Sequence, residues 1–361
     1  MRTIGEELKA RYGGKVYKIA LNGGCTCPNR DGTLDTRGCI FCTGAGEFAS
    51  EADLSITEQI EQGKRLVADK MPPGEGRYIA YFQAFTNTYA PIERLRSMFM
   101  KAISHPEIVI LSIATRPDCL PEKVLDLLEE LNRIKPVWIE LGLQTKHEKT
   151  ADYIRRGYAL PVFDQAVREL QKHGIYTIVH VILGLPGEDQ SAMPETVRYV
   201  RDSGVQGIKL QLLHVLKDTD LAKEYAEGKV PVMDLETYTD LVADCVALIG
   251  DKLTIHRLTG DGSRRSLIAP LWSTDKKRVL NTIRRKIREQ GCGQRNPRER
   301  IPGPKIKNSG RLRSLQYCAE YGGKGSHSHL QSQGSCPPDG SRCPIPRHIR
   351  RYPRRKPCRA G

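Results

Sequence analysis

The stretch Cys25-Thr-Cys-Pro-Asn-Arg-Asp-Gly-Thr-Leu-Asp-Thr-Arg-Gly-Cys-Ile-Phe-Cys42 sets four cysteines in eighteen residues. Four neighbouring thiolates can close a tetrahedral zinc site, whereas three can hold an iron–sulfur cluster and leave one iron without a protein ligand. Cys39-Ile-Phe-Cys42 alone decides nothing, because zinc ribbons and redox pairs share its spacing. Position carries more information. The stretch directly follows the apolar run VYKIAL (16–21), so it leaves the end of a predicted first strand.

Working outward, the chain alternates. Short apolar runs recur at 78–82, 108–113, 137–143, 176–184 and 207–213, and the segments between them are amphipathic. Gly174 and Gly204 stand where helices end, and Pro121 and Pro161 where helices begin. Six strands alternating with helices imply a parallel sheet, either doubly wound or closed as a barrel. Polar or glycine-rich residues follow most of the runs, among them Gln83, Thr115-Arg116, Gln144-Thr145, Gly184 to Glu188 and His214. In parallel barrels that C-terminal rim carries the active site. The run TIHRLTG (254–260) adds an edge strand or an extension.

The net charge of +15 invites a nucleic-acid reading, but residues 292–361 hold 16 Lys/Arg against 3 Asp/Glu and carry +13 of it. The body, 1–291, is close to neutral. That tail also holds 9 of the 22 prolines and shows no apolar period, so it is expected to be disordered. A basic arm on RNA phosphates and a zinc site built from Cys318, Cys336, Cys343, Cys358, His327 and His329 are two readings of it; its composition better suits translation in a shifted frame. No apolar run approaches 18 residues and the N-terminus lacks an apolar signal region, so a cytoplasmic protein is expected. Clustered cysteines there are more often metal ligands than disulfides.

The motifs GGCTCPNRDGT, GCIFC, AYFQAFTNTYA, ATRPDC, ELGLQT, RRGY, HVILGLPGE, GIKLQLLHVLK and APLW, spread over roughly 5–290, resemble the radical S-adenosylmethionine (SAM) enzymes, specifically the YhcC/YtqA-like branch, related to the catalytic subunit of Elongator and to oxygen-independent coproporphyrinogen oxidase. The resemblance implies a partial (β/α)6 TIM-type barrel over residues 1–290, with small extensions, followed by the tail 291–361. It implies a [4Fe-4S] cluster on Cys27, Cys39 and Cys42, with Cys25 a bystander, and SAM chelating the fourth iron. Reductive cleavage of SAM then yields a 5′-deoxyadenosyl radical that removes hydrogen from substrate. An electron donor of flavodoxin or ferredoxin type is the implied partner.

By the same resemblance Gln144 and Arg156 contact the methionyl group of SAM, Thr86 and Asn87 stand near its amino group, and Gly184 approaches its adenine. His180 occupies a position where relatives carry a ribose-binding Asp, and Phe41 packs beside adenine or cluster. Arg116 and Glu140 are expected inside the barrel, as a buried pair or as ligand contacts. Lys209, His214 and the run 256–261 with Arg264-Arg265 are candidates for the substrate mouth. The Elongator kinship suggests a tRNA wobble uridine as substrate, and the stretch 275–290 carries seven basic and two acidic residues, as an RNA-gripping helix would. A small molecule or a protein remains the alternative substrate. A zinc-binding interaction protein and a simple electron-transfer iron–sulfur protein are the alternative classes.

Overall fold

The computed structural model describes residues 1–44, 53–70, 76–260, 262 and 265–293, all within the unit Met1–Arg300. The six tail candidates for zinc, with Asp261 and Arg264, lie outside the described residues.

The order is α1 (Ile4–Tyr12), β1 (Tyr17–Leu21), α2 (Ile56–Val67), β2 (Tyr78–Phe82), α3 (Ile92–Ile103), β3 (Ile108–Thr115), α4 (Glu122–Ile134), β4 (Val137–Gln144), α5 (Glu148–Tyr153), α6 (Leu160–Lys172), β5 (Tyr176–Leu183), α7 (Ala192–Asp202), β6 (Gly207–Leu212), β7 (Val215–Leu216), α8 (Asp220–Ala226), α9 (Leu235–Ile249), β8 (Thr254–Arg257), β9 (Leu267–Ala269) and α10 (Lys276–Gly293). Strands β1 to β6 pair in chain order, each parallel to the next, and β8 joins beyond β6. A doubly wound sheet would reverse its order at a switch point; this one does not, so it curls as a partial barrel. The apolar run at 254 thus becomes a seventh parallel strand. The two edges, β1 and β8, face one another across a seam where Thr3 bridges Ile255.

Alternation along the strands builds the interior in layers. Ile79, Ile110, Trp138 and Ile178, from four neighbouring strands, meet Leu8 of α1 in one apolar cluster. Helix α1 therefore plugs the lower end of the barrel, and Thr3 starts it with a capping box to Glu6. Two residues further up the same strands the interior turns polar, with Tyr81, Ser112, Glu140 and His180. The opposite faces pack on α3, α4, α6, α7 and α9 in the main core, through residues such as Phe82, Phe99, Leu128, Phe163 and Val197.

Helix α9 was not evident in the sequence. Nine of its fifteen residues are buried, because α7 lies on one side and α10 on the other. A helix covered on two sides has no clean amphipathic stripe to read.

Gln59 on α2 ties the helix layer to the cysteine loop. It is fully buried; its Oε1 accepts from the Asn22 N–H at 2.8 Å, and its Nε2 donates to the Asn22 carbonyl at 3.0 Å and to the Leu54 carbonyl at 2.9 Å. Gln59→Leu keeps the volume and strands these backbone groups, so it should destabilise by about 1–3 kcal/mol in urea unfolding. A change below a few tenths would show the anchor to be dispensable.

Candidate functional site

A cavity of about 290 Å³ opens above the polar layer, on the C-terminal rim. Cys27, Cys39 and Cys42 line it, together with Phe41, Thr86, Gln144, Arg156 and His180. Seven of the eight sequence candidates other than Asn87 and Gly184 need no rearrangement to face one space; the eighth, Arg156, reaches it with its fork already engaged. Asn87 and Gly184 stand elsewhere. Asn87 is buried with its Nδ2 donating to the Phe82 and Ala114 carbonyls, a clamp between the ends of β2 and β3. Gly184, at φ +92°, donates its N–H to Met193 Sδ and packs against Met233.

The cysteine loop is held from within. Asn29, 1% exposed, donates through Nδ2 to the Arg155 carbonyl at 2.7 Å and contacts Cys39 Sγ at 3.5 Å. Its Oδ1 lies where a side chain on Gly157 (φ +80°) would collide, at 2.6 Å from an added Cβ, so only glycine lets the loop close on the rim after β4. Arg30 donates to the Cys42 carbonyl, and the Gly44 N–H points at Cys42 Sγ at 3.3 Å. Burial, then the neighbouring Cys42, push the Cys39 thiol up to about 12, while Arg116 pulls the other way. Metal binding there must displace a proton, and the Arg116 guanidinium is placed to offset thiolate charge.

Cys25 is buried in the main core, and it lines a separate cleft on the other side of the loop with Thr26, Pro28 and Cys119. Among the described residues, the set of three His, Cys, Asp or Glu ligand atoms lying within 4.8 Å of one another is Glu61, His105 and Glu107, where Lys64 already supplies a cation. Among the described residues no three cysteine thiols lie within that distance of one another. Sulfurs sharing one zinc ion stand about 3.8 Å apart, given Zn–S bonds of about 2.3 Å in a tetrahedron. Gln144 carries a sign of a missing ligand. It sits at φ +68° on the rim, and its buried Oε1 has no hydrogen-bond partner.

Arg156 is 2% exposed. It donates to the Thr145 carbonyl at 2.7 Å, the Tyr158 carbonyl at 3.0 Å and Glu148 Oε2 at 2.9 Å, and lies 4.5 Å over the Tyr158 ring. Three of its five N–H groups are thereby used, so a ligand carboxylate finds at most the remaining two.

Beneath the cavity, Glu140 is fully buried. It receives Lys18 Nζ at 2.7 Å, Ser112 Oγ at 2.8 Å, His180 Nε2 at 2.7 Å and Lys209. Tyr81 lies between the two lysines, with Nζ atoms 4.3 and 4.7 Å from its ring centre. Burial alone would raise the Glu140 pKa; Lys18, Lys209 and the His180 bond outweigh it and hold the carboxyl well below its usual range. For His180, burial and Lys209 outweigh the Glu140 bond and bring it down to about 4. The ring is therefore neutral at pH 7, donating from Nε2 to Glu140 and accepting from Gln211 Nε2 at Nδ1, 3.1 Å away.

These contacts correct three expectations. Glu140 pairs with lysines, not with Arg116, which instead forms a two-pronged pair with Asp118 and donates to the Arg156 carbonyl. Lys209, a candidate for the substrate mouth, lies inside β6 and is buried on Glu140 at the barrel centre. His180 is a member of a buried network as well as a cavity wall. Sequence reading missed the roles of Lys18, Tyr81 and Asn29. A signal existed for the first: Lys18, Glu140, His180 and Lys209 are single charged or titratable residues inside otherwise apolar strand runs.

Glu140→Gln leaves two lysines without their shared counter-charge and should cost about 3–5 kcal/mol in chemical denaturation. His180 has a folded pKa near 4 against 6.5 unfolded, so the unfolded chain binds the extra proton between those values. Stability should fall as pH drops from 6.5 toward 4, by up to about 3 kcal/mol from this residue. His180→Gln should flatten that part of the profile; an unchanged pH slope would contradict the assignment.

The chain matches the family model of the Radical SAM superfamily over residues 33–200 and that of the Radical_SAM C-terminal domain over residues 205–289. It is 44% identical to the protein YtqA of Bacillus subtilis (strain 168) over 294 residues, 81% of this chain and 91% of YtqA. It is 27% identical over 226 residues to the tRNA uridine(34) acetyltransferase of Dehalococcoides mccartyi (strain CBDB1), covering 59% of this chain and 47% of that protein. Among solved structures, the archaeal Methanocaldococcus infernus Elp3 with N-terminal deletion (1–46) is similar in fold, with TM-score 0.59 at 15% identity over 76% of this chain and 63% of that one. On the matched superfamily model and the likeness to YtqA along most of both sequences, the chain belongs to the YtqA-like family of radical SAM enzymes, which use a [4Fe-4S] cluster and S-adenosylmethionine.

Proposed function

We propose that residues 1–290 form the catalytic unit, that Cys27, Cys39 and Cys42 hold the cluster, and that the substrate is a modified wobble uridine of tRNA. When bound, the cluster and SAM supply the electron and the 5′-deoxyadenosyl radical that takes hydrogen from substrate. The observation that carries this reading is the convergence of three thiols and the unpartnered Gln144 oxygen on a single cavity inside the barrel.

The protein's own part is positioning. Gln144 Oε1 would accept a hydrogen bond from the methionyl amine of bound SAM, which would remove the cost of a buried bare oxygen. Arg156 would offer its two remaining N–H groups to the SAM carboxylate. Thr86 and Phe41 bound the cavity on the β2 and cysteine-loop sides. Neutral His180, fixed by Glu140 and Gln211, presents a shaped wall without an added charge. The apolar cluster of Ile79, Ile110, Trp138 and Ile178 on α1 lies beneath this polar layer. Asn87 and Gly184 act one step back, by fixing the strand ends that carry these groups.

The tRNA assignment rests on the uridine(34)-acting relative, matched over 59% of this chain, and on the basic helix α10. Among the described residues no helix is long and apolar enough to cross a membrane, and the reaction we assign belongs in the cytoplasm beside a flavodoxin- or ferredoxin-type donor.

After anaerobic reconstitution, dithionite and SAM should yield 5′-deoxyadenosine. Cys27→Ala, Cys39→Ala and Cys42→Ala should each reduce it at least about a hundredfold, since losing one of three ligands undoes the site; Cys25→Ala should leave it intact. Product formation by the Cys27 variant would sink the ligand set. For the substrate, digests of tRNA from a strain lacking the gene should show altered wobble uridines, and an unchanged nucleoside profile would remove that assignment.

A further inference from the structure

Helix α10 presents two unlike faces. Val279, Ile283 and Lys286 are buried against α9, and the one cation on that side is fully engaged: Lys286 Nζ reaches Glu236 Oε2 at 2.8 Å, Asp240 Oδ1 at 2.6 Å and the Glu236 carbonyl at 3.0 Å. Gln290 adds a bond to Asp244 at 2.7 Å. The acids of α9 thus point at the inner face of α10. On the outer face, Lys277, Arg284 and Arg288 are exposed and fall within about 40° of one another around the helix, opposite the buried set. They run for about 16 Å along its axis. Arg278 and Arg285 flank them, Arg285 paired with Glu289 at 3.1 Å. Among the described residues no acid pairs with Lys277, Arg284 or Arg288.

The location is as informative as the charge. The first turn of α10 reaches the seam between β1 and β8, where Lys276 and Leu280 line a cavity of about 390 Å³ with Thr3 and Lys18. Lys209 and Arg257 line both this cavity and the one above the cysteines. Helix α10, through Lys276 and Leu280, therefore borders a cavity that shares two wall residues with the cysteine-lined one.

We propose that the outer face of α10, through Lys277, Arg284 and Arg288, is the docking surface for the phosphate backbone of the RNA substrate. This rests on the tRNA reading above. Three long cations spaced along one helix edge match a polyanion with regularly repeated charges, and they contribute affinity without reading bases. An acidic protein, such as the electron donor, is the competing occupant. It would seat on a compact mixed patch with an apolar centre, whereas this face offers a row of cations with no apolar residue among them.

The test uses the full chain, reconstituted, and an in vitro transcribed tRNA with uridine at the wobble position. Binding is followed by fluorescence anisotropy over a salt series, for wild type and for the triple variant Lys277→Gln, Arg284→Gln, Arg288→Gln. These residues are exposed and away from the cavity, so unfolding midpoint and dithionite-driven 5′-deoxyadenosine yield should be unchanged. Loss of three phosphate contacts should weaken binding about tenfold or more near physiological salt and lower the slope of log K against log salt by about 2–3. If wild type binds and the triple variant binds equally with the same slope, the surface is wrong and the tRNA reading stands. If the variant keeps its tRNA affinity but its cluster is reduced more slowly by reduced flavodoxin, the face belongs to the donor and the proposal is overturned. If wild type shows no tRNA binding, the substrate reading falls, and this surface with it.

Discussion

One buried carboxylate organises the interior. Glu140 accepts from β1, β3, β5 and β6 at once, and desolvating it would be prohibitive without those partners. Its four donors fix the spacing of strands that would otherwise be joined only by backbone ladders and apolar contacts. They also set the level at which the barrel changes character. Below Glu140 the interior is apolar and plugged by α1; above it the walls are polar and a cavity remains. The reactive end of the protein is thus a chamber with a charged, hydrogen-bonded floor.

The cysteine loop is fastened to this chamber at its entry and at its middle. Gln59 holds its entry and Asn29 joins its middle to the carbonyl of Arg155, beyond β4. Gly157 leaves the space that Asn29 fills. Three non-glycine residues at positive φ, Phe85, Gln144 and Arg155, cluster around the same rim. Such backbone costs of order 1–3 kcal/mol each and persists where surrounding structure fixes it, which is common at ligand sites. The strain and the orphaned Gln144 oxygen point to the same volume that the three thiols face.

Much of the frame was legible in the sequence because period-2 and period-3.6 apolar patterns leave direct traces. The run at 78–82 became β2 with the same bounds, and the amphipathic segment after it became α3. The sheet order was not legible, since alternation alone suits both barrels and doubly wound sheets. Helix α9 was hidden because burial on two sides erases its polar face. At the site, Cys27, Cys39, Cys42 and Gln144 were found through motif resemblance, and they share one cavity. The placements of Asn87, Gly184 and Lys209 were missed because whether a rim residue turns inward or clamps its neighbour depends on three-dimensional partners that no spacing encodes. The Glu140 network was visible only as isolated charges in apolar strands, and their mutual contact depends on the pairing of β1, β4, β5 and β6.

The central claim is that the chamber binds a cluster with one iron open to SAM. Electron paramagnetic resonance of the reconstituted, dithionite-reduced protein tests it most directly. The account predicts a reduced [4Fe-4S] signal whose shape changes when SAM is added, with the change lost in Gln144→Leu at SAM concentrations that saturate the wild type. A signal that SAM does not alter in the wild-type protein, or a protein that takes up zinc and no iron, would contradict it.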